Sequence, residues 1–271
     1  MRIIGNGFLA AQLSLIADRH PDVLALAAGV SGTVGLAESA YRREVELVEA
    51  TLVDCRRSTG TLLFFSTASA AVYGDDRPGC EDQPATARSR YGEHKLNLER
   101  QVRDSGVDYL ILRLSHLVGP RQPEHQLLPT LVRAVLSGRV IVQRQATRDL
   151  LSVRHAVAIV DELLEHPVAN TVVNVASGFA VPAEAILDRL AARLAVPIER
   201  EYVDAGTSHL VCIHKLRELL PGIDRFGFGA DYFHGVLDEL VGPAVRPVSA
   251  MPPTALAGGS PDAAVSAPIR S

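Results

Sequence analysis

Short apolar runs of strand length alternate with longer amphipathic segments along the first 114 residues of the chain. The pattern predicts strands at residues 2–4, 22–28, 61–67 and 109–114, and helices at residues 8–19, 36–57 and 85–104. Strands that alternate with helices at this spacing favour a parallel sheet joined by right-handed crossovers. We therefore predict an α/β fold built on a doubly wound parallel sheet.

The pattern continues into a smaller second part. It predicts helices at residues 127–137, 153–165 and 182–194, and strands at residues 140–142 and 171–175. From about residue 242 the sequence turns to Pro, Ala, Ser and Gly, a composition typical of disordered segments. We predict a nucleotide-binding region over residues 1–120, a smaller α/β lobe over 121–241 with strand exchange back to the sheet, and a disordered tail over 242–271.

Composition excludes several classes of protein. A net charge of −4 without basic clusters argues against a nucleic-acid surface. No apolar run reaches the roughly 18 residues of a membrane span, and the first strand leaves no room for a signal peptide. Cys55, Cys80 and Cys212 lack the spacing of a zinc site or a disulfide framework. We therefore expect a cytoplasmic protein without a metal, a nucleic-acid partner or a membrane partner.

A glycine motif, GxGxxA, joins the first predicted strand to the first helix at Gly5, Gly7 and Ala10. The first glycine permits a tight turn, the second lets a pyrophosphate approach the backbone, and the small third residue lets helix pack on strand. The motif predicts a Rossmann-type dinucleotide site that includes Phe8 and Leu9; the alternative is a simple glycine-rich turn. The next predicted strand ends without the acid or arginine that would distinguish NAD from NADP.

A tyrosine and a lysine lie four residues apart in the predicted helix 85–104. Lys95 is one of two lysines in the chain, and it shares a helix face with Tyr91. An ammonium beside a phenol favours the ionised phenol, so the pair suits acid-base chemistry near neutral pH. The alternative is a solvated helix face that carries an aromatic residue and a charge. We expect His94 and Glu93, between the pair, to point elsewhere on the helix and to be solvated.

Six motifs in order resemble the extended short-chain dehydrogenase/reductase family of nucleotide-sugar epimerases, dehydratases and ketoreductases, over about residues 1–240. They follow the glycine loop and are the Tyr91/Lys95 pair, DVLALAA (22–28), FSTASAAVYG (65–74), LRLSHLVGPR (112–121), RDLLSV (148–153) and VNVASG (173–178). The resemblance implies a Rossmann-type sheet with a smaller C-terminal substrate lobe, NAD or NADP as the cofactor, and a nucleotide sugar as the substrate. It also implies a homodimer formed through helices 36–57 and 85–104.

The resemblance also assigns roles to residues. It implies a catalytic set of Ser69, Tyr91 and Lys95, in which Ser69 orients the substrate oxygen and Lys95 also holds the nicotinamide ribose. The remaining cofactor-binding positions that it implies are Gly5, Gly7, Phe8, Leu9, Ala27, Ala28, Gly29, Leu114 and His116, the last where the family usually has asparagine. The substrate-binding positions that it implies are Ala70, His116, Gln126 and Arg148. Arg148 suits a substrate phosphate; the alternative is an ion pair with Asp149 or Glu162.

Two departures from the family pattern stand out. If residues 22–28 are the family's fourth strand, its second and third strands are missing, which shortens the sheet at one edge and leaves the adenosine pocket partly open. The glycine loop is also one residue tighter than the family's usual GxxGxxG.

The residues beside the serine narrow the reaction. Ala70 and Ala71 stand where 4,6-dehydratases of the family carry an Asp-Glu pair, and methyl groups supply neither acid nor base. The cysteine and histidine of 3,5-epimerising relatives fall on Ala71 and Gln126, although His125 is adjacent. A ketoreductase of a nucleotide-linked 4-keto-6-deoxyhexose remains first; the alternatives are an NAD-dependent sugar-nucleotide 4-epimerase and a non-catalytic dinucleotide- or sugar-nucleotide-binding relative.

Overall fold

The computed structural model describes residues 1–30, 37–58, 60–74 and 78–242. The strands are β1 (Arg2–Ile4), β2 (Val23–Leu26), β3 (Thr61–Thr67), β4 (Tyr109–Leu114), β5 (His116–Val118), β6 (Arg139–Gln143), β7 (Thr147–Arg148), β8 (Leu150–Ser152), β9 (Thr171–Val175), β10 (Val181–Pro182) and β11 (Glu199–Val203). The α-helices are α1 (Phe8–Leu13), α2 (Glu38–Ser58), α3 (Ala70–Tyr73), α4 (Arg90–Arg103), α5 (Leu127–Leu136), α6 (Val153–Glu165), α7 (Ala183–Leu194), α8 (His214–Leu219) and α9 (Tyr232–Val241). The chain is therefore a mixed α/β protein, as predicted.

Five strands form the central sheet in the order β1-β2-β3-β4-β9, and every neighbouring pair is parallel. Because all five strands run the same way, their carboxyl ends open on one edge of the sheet, where α/β proteins bind ligands. Strand β9 comes from the second half of the chain and lies beside β4. Within the described residues β1 lies at the edge, with β2 as its single neighbour. The short edge agrees with the predicted loss of two strands.

The sheet buries apolar side chains on both faces, which explains why its strands are almost continuously apolar. One face carries Ala25, Leu63 and Leu110 and packs against α1, α6 and α8. The other face carries Leu24, Leu62 and Ile111 and packs against α2 and α4. The two layers of helices make the sheet doubly wound, as the sequence pattern predicts.

The hand of the first crossover differs from that of the next two. Strands β1 to β4 follow one another across the sheet in one direction, yet α1 covers the face opposite to α2 and α4. The β1-α1-β2 unit therefore has the opposite hand to β2-α2-β3 and β3-α4-β4, and right-handed crossovers throughout were a wrong expectation. Since about 98% of such crossovers are right-handed, the first unit is the exceptional one.

The second part of the chain forms a smaller layer beside the sheet. Strands β6 and β11 pair in parallel, and the short pairs β5–β8 and β7–β10 line the junction with the sheet. Helices α5, α7 and α9 bury their apolar faces together in a separate core. The division into two regions stays a prediction, and residues 243–271 of the predicted tail lie outside the described residues.

Two predicted helices end differently in the structure, for local reasons. The first keeps α-helical form only to Leu13 and continues as a 3₁₀ turn over Ser14–Arg19, because the Ser14 hydroxyl donates to the Ala11 carbonyl. The third predicted helix, α4, begins at Arg90 rather than near residue 85, because the Ser89 hydroxyl accepts a hydrogen bond from the Gly92 amide and caps the helix. None of the described helices is both long and apolar enough to cross a bilayer.

Candidate active site

A cavity of about 690 Å³ opens at the carboxyl ends of β1 to β4 and extends toward β5 and β7. The predicted site residues that line it are Gly7, Phe8, Leu9, Ala27, Ala28, Gly29, Ser69, Ala70, Tyr91, Lys95, Leu114, His116, Gln126 and Arg148. The structure therefore brings together every predicted site residue except Gly5, which is exposed and does not line the cavity.

The glycine loop combines one tight contact with one open position. Gly5 has φ of +129°, and a Cβ on it would lie 2.4 Å from the Ala27 carbonyl oxygen. Gly7 precedes α1, and a Cβ there would lie more than 4 Å from the described residues around it. Gly7 is also the N-cap residue of α1 and has no side chain with which to cap the first turn. The loop thus leaves space and backbone N–H groups for a phosphate group beside Phe8 and Leu9.

Ser69 lies just beyond the end of β3. It is the residue that precedes α3, and its Oγ is buried with no hydrogen-bond partner among the described residues. A buried hydroxyl without a partner carries a free-energy penalty that a bound oxygen can remove. Ala70 and Ala71 follow it and also line the cavity. The strand end therefore offers one hydroxyl and no carboxylate at this place.

Tyr91 and Lys95 project from the first two turns of α4 into the same cavity. Both are buried, at 8% and 3% exposure, and the Lys95 Nζ lies 5.9 Å from the centre of the Tyr91 ring. Gly92 lets α4 pack closely against α3, because a Cβ at this position would lie 1.9 Å from the Ala71 carbonyl oxygen. A glycine inside the YxxxK segment therefore places Tyr91 against α3, next to the serine.

Glu44 is a site residue that the sequence interpretation missed. It projects from α2, is 4% exposed, and accepts a hydrogen bond from the Lys95 ammonium at 2.7 Å. His94 contacts its other oxygen at 2.9 Å, so the expectation that His94 is solvated is wrong, whereas Glu93 is exposed as expected. The sequence did contain a signal, since Glu44 falls on the buried stripe of α2 with Tyr41 and Val48.

The substrate side of the cavity carries His116, Gln126 and Arg148. Burial, and then the nearby Arg148 guanidinium, lower the pKa of His116 to about 4, so this imidazole is neutral near pH 7. Gln126 accepts a hydrogen bond from Gln122 at 2.7 Å, and the neighbouring His125 also lines the cavity.

Arg148 makes neither of the ion pairs considered as its alternative role. Its guanidinium donates to the backbone carbonyls of Thr147 and Thr207, at 2.7 and 3.3 Å. Asp149 turns away and accepts hydrogen bonds from Ser177 and Gly178, and Glu162 pairs with Arg225. Burial lowers the Arg148 pKa. The described residues thus leave this cation facing the cavity without a carboxylate partner.

His209 is a second residue that the sequence did not point to. It lines the cavity from the segment that precedes α8, stacks on the Tyr73 ring at 5.8 Å and contacts the Ala68 carbonyl at 3.2 Å. That segment has no regular periodicity from which its position could be inferred.

A buried polar network supports the acid-base residues from behind. The Arg113 guanidinium on β4 forms two hydrogen bonds to the Glu99 carboxylate on α4, at 2.7 and 2.9 Å, and a third to the Tyr73 hydroxyl at 2.7 Å. Ser66 of β3 donates to the same carboxylate, and Tyr73 contacts Asn174 of β9. The network ties α4 to three strands. Tyr73 therefore has a structural role in this network.

The residues present fit a nicotinamide dinucleotide. The open space at Gly7 and the loop N–H groups suit a pyrophosphate, small residues at the end of β2 leave room for a flat ring, and Ser69 Oγ lacks a partner. The fit rests on the part of the cavity that the glycine loop, the end of β2 and Ser69 form. On the side of β1 away from β2, the described residues form no further strand.

Comparisons with known proteins agree with this geometry. The model of the NAD dependent epimerase/dehydratase family matches residues 10–176, more than half of the chain. No curated protein matches the chain. Solved structures with similar folds include a UDP-N-acetylglucosamine 4-epimerase from Methanobrevibacter ruminantium, at 21% identity and a TM-score of 0.70, covering 85% of this chain and 78% of that one.

Two further solved structures are similar. RMD from Pseudomonas aeruginosa, complexed with NADPH, has 18% identity and a TM-score of 0.69 over 88% of this chain and 96% of its own. A dTDP-glucose 4,6-dehydratase from Bacillus anthracis, complexed with NAD, has 19% identity and a TM-score of 0.68 over 88% and 77%. The likeness to all three concerns the fold. With the family match over residues 10–176, the chain belongs to the NAD dependent epimerase/dehydratase family, of the extended short-chain dehydrogenase/reductase type.

Proposed function

We propose that the protein is an NAD(P)H-dependent ketoreductase of a nucleotide-linked keto-sugar, of the 4-keto-6-deoxyhexose type. The observation that carries the proposal is that Ser69, Tyr91 and Lys95 line one cavity together with the glycine loop. A reduced nicotinamide, when bound there, supplies the hydride. The acid-base work falls to the three side chains.

Each of the three groups has a defined task. Tyr91 donates its phenolic proton to the oxygen that becomes a hydroxyl, and Ser69 donates a hydrogen bond that orients the same oxygen. The partnerless Ser69 Oγ supports this role, since its hydroxyl is free to turn toward a ligand. Lys95 supplies positive charge beside Tyr91 and donors for the ribose hydroxyls of the cofactor. Burial of Tyr91 and Lys95 keeps bulk water from competing.

The substrate class follows from the charge of the far side of the cavity. Arg148 faces it without a carboxylate partner among the described residues, and a guanidinium fork suits a diphosphate. Gln126 and His116 offer neutral hydrogen-bonding groups for sugar hydroxyls. We therefore propose a nucleoside-diphosphate sugar as substrate, with the nucleotide identity open.

Elimination is not proposed, although 4,6-dehydratases have similar folds. Ala70 and Ala71 line the cavity, and neither can donate or accept a proton. A reduction at a single carbon needs no further acid or base beyond Tyr91. The preference between NADH and NADPH stays open, and the homodimer stays a prediction.

Cofactor titration is the first test. The chain contains no tryptophan, so the fluorescence of the reduced nicotinamide can be followed without transfer from indole. We expect saturable binding of NADH or NADPH at micromolar concentration, and an unchanged affinity in Tyr91→Phe. Protein that retains NAD through purification without exchange would favour the 4-epimerase instead. No binding of either cofactor would reject both enzymes.

Turnover of a dTDP-linked and a UDP-linked 4-keto-6-deoxyhexose, followed at 340 nm, is the second test. Tyr91→Phe should lower kcat by at least about 100-fold, because it removes the proton donor. Tyr109→Phe is the matched control, since Tyr109 begins β4 at the opposite end of the sheet. Equal activity of Tyr91→Phe and wild type would overturn the assignment.

A further inference from the structure

Glu44 is a buried carboxylate whose two oxygens are both engaged at the end of the cavity. Oε1 accepts a hydrogen bond from the Lys95 ammonium at 2.7 Å. Oε2 accepts one from the Val30 amide at 3.0 Å and contacts the His94 Nε2 at 2.9 Å. Val30, Lys95 and Glu44 itself line the cavity. One side chain of α2 thus joins α4 to the loop that follows β2.

We propose that Glu44 is the positioning residue of this site, which holds the Lys95 ammonium in place and ties the loop after β2 to α4. The inference rests on the proposed function, because that function gives Lys95 its role. It adds α2 to the site, although the motifs of the sequence analysis lie on other elements.

Charge is the first reason. Lys95 and Glu44 have side chains only 4% and 3% exposed, and a buried ammonium is expensive unless it is paired. Glu44 is the one carboxylate within 4 Å of the Lys95 Nζ in the described part of the chain. Without it, the ammonium would be buried without a carboxylate partner among the described residues, so it would turn toward water and away from Tyr91.

The titratable groups around the Glu44–Lys95 pair come from two helices. On α4, Tyr91 lies beside Lys95 and His94 contacts Glu44, while Tyr41 of α2 lies edge-on to the His94 ring at 4.8 Å. Glu44 is the single acid among these groups. Burial raises the pKa of its carboxyl, but the His94 and Lys95 contacts outweigh burial, so the pKa lies below the ordinary value. The carboxylate is therefore charged wherever the protein is folded near neutral pH.

Steric fit is the second and independent reason. A Cβ on Gly29 would lie 2.4 Å from the Glu44 Oε1 and 3.2 Å from the Lys95 Nζ. The absence of a side chain at Gly29 therefore leaves the space in which the ion pair lies. Gly29→Ala would push the carboxylate and the ammonium apart without changing any charge.

The test uses the full chain in which Glu44 is replaced by glutamine. Glutamine keeps the size of the side chain and removes its charge. Glu49→Gln is the matched control, because Glu49 lies on the same helix and contacts Gln101 of α4, but is exposed and outside the cavity. Both variants are compared with wild type by circular dichroism and urea unfolding, to show that they are folded.

Lysine NMR gives the direct readout. The chain has two lysines, so ¹³C-lysine labelling yields one ε-carbon signal from Lys95 and one from Lys215 as an internal reference. We expect Glu44→Gln to move the Lys95 signal and leave the Lys215 signal in place, and Glu49→Gln to move neither. An unmoved Lys95 signal in folded Glu44→Gln overturns the inference. If Glu44→Gln does not fold, Glu44→Asp, which keeps the charge on a shorter side chain, answers the same question.

Cofactor titration separates this inference from the proposed function. If wild type binds NADH or NADPH, Glu44→Gln and Gly29→Ala should weaken binding by roughly 10- to 100-fold, because a displaced ligand group acts at the wrong distance. Binding within about twofold of wild type in both variants overturns the positioning role. If wild type binds neither cofactor, the proposed function fails, while the NMR result still decides whether Glu44 holds Lys95.

Discussion

The centre of the sheet and its β1 edge are built in opposite ways. Strands β3 and β4 have neighbours on both sides, bury apolar residues on both faces, and are tied to α4 by the Arg113–Glu99 network. Strand β1 has three residues and one neighbour within the described residues, and the loop after it is exposed. The proposed acid-base groups rest on the centre, whereas the phosphate loop rests on the edge.

Because the two halves of the site rest on differently built parts of the sheet, they can fail separately. Changes at the centre should act on folding and on the acid-base residues together, because the same contacts serve both. Changes at the edge should act on cofactor binding with a smaller effect on folding. Variants at each place test whether the contrast holds.

The largest effect is expected at the centre, from Arg113→Met. The substitution leaves the fully buried Glu99 carboxylate without its two guanidinium hydrogen bonds. Breaking one side of a buried ion pair lowers the free energy of unfolding by about 3 to 5 kcal/mol. Urea unfolding measures the loss, and Arg113→Met combined with Glu99→Leu should recover part of it. A decrease of less than about 1 kcal/mol in the free energy of unfolding would contradict the contrast between the centre of the sheet and its β1 edge.

A pH effect at His116 should come next. Burial and Arg148 lower its pKa to about 4 in the folded protein, below the ordinary value of 6.5. The unfolded chain therefore binds a proton first, so the His116 contribution is complete above about pH 6.5 and is lost as the pH falls toward 4. The size is about 3 kcal/mol. As the pH falls from 6.5 to 4, the free energy of unfolding should decrease less steeply in His116→Asn than in wild type. If the two proteins show parallel curves of stability against pH, the assignment is contradicted.

The glycine loop offers a matched pair of substitutions at the edge. Gly5→Ala should lower the free energy of unfolding by about 1 to 3 kcal/mol, because its φ is +129° and the new Cβ meets the Ala27 carbonyl. The new Cβ of Gly7→Ala would have no atom of the described residues around it within 4 Å. The free energy of unfolding of this variant should therefore stay within about 0.5 kcal/mol of wild type. Gly7→Ala should nevertheless weaken cofactor binding by calorimetry. The reverse order of stabilities would contradict this description of the loop.

The smallest effect is expected from Arg2→Ala, which removes the ion pair between β1 and Asp54 of α2. The two charges are 3.0 Å apart, but their side chains are 60% and 44% exposed. Exposed pairs contribute about 0 to 1 kcal/mol, and less in high salt. A loss above about 2 kcal/mol in urea unfolding would mean that the edge is tied more tightly than the contrast states.

Several parts of the fold followed from local pattern. The strands at 61–67 and 109–114 and the helix at 153–165 have the predicted bounds, because long apolar runs and a strong helical period override local ambiguity. Helix ends were less well predicted, since a single hydroxyl at Ser14 or Ser89 decided where they lie. Strand β11 and helices α8 and α9 carried no expectation at all.

The candidate site divides in the same way. Motif order placed Ser69, Tyr91 and Lys95 on a strand end and a helix turn, which the parallel sheet then brings to one edge. Glu44 contacts Lys95 across about 50 residues of chain, and His209 contacts Ala68 across about 140. Spacing along one segment cannot predict contacts of that range. The charged position on the buried stripe of α2 was the one visible hint.

The α/β class, the glycine loop, the Tyr91/Lys95 pair and the loss of two strands were predictable from the sequence alone. Each depends on neighbours within a few turns of chain or on the count of strands. The tertiary structure decided the opposite hand of the first crossover, the pairing of Lys95 with Glu44, and the cavity beside Arg148. These depend on which face each helix covers. That choice is made by packing between distant segments, since burial is non-directional and is settled only when the whole core assembles.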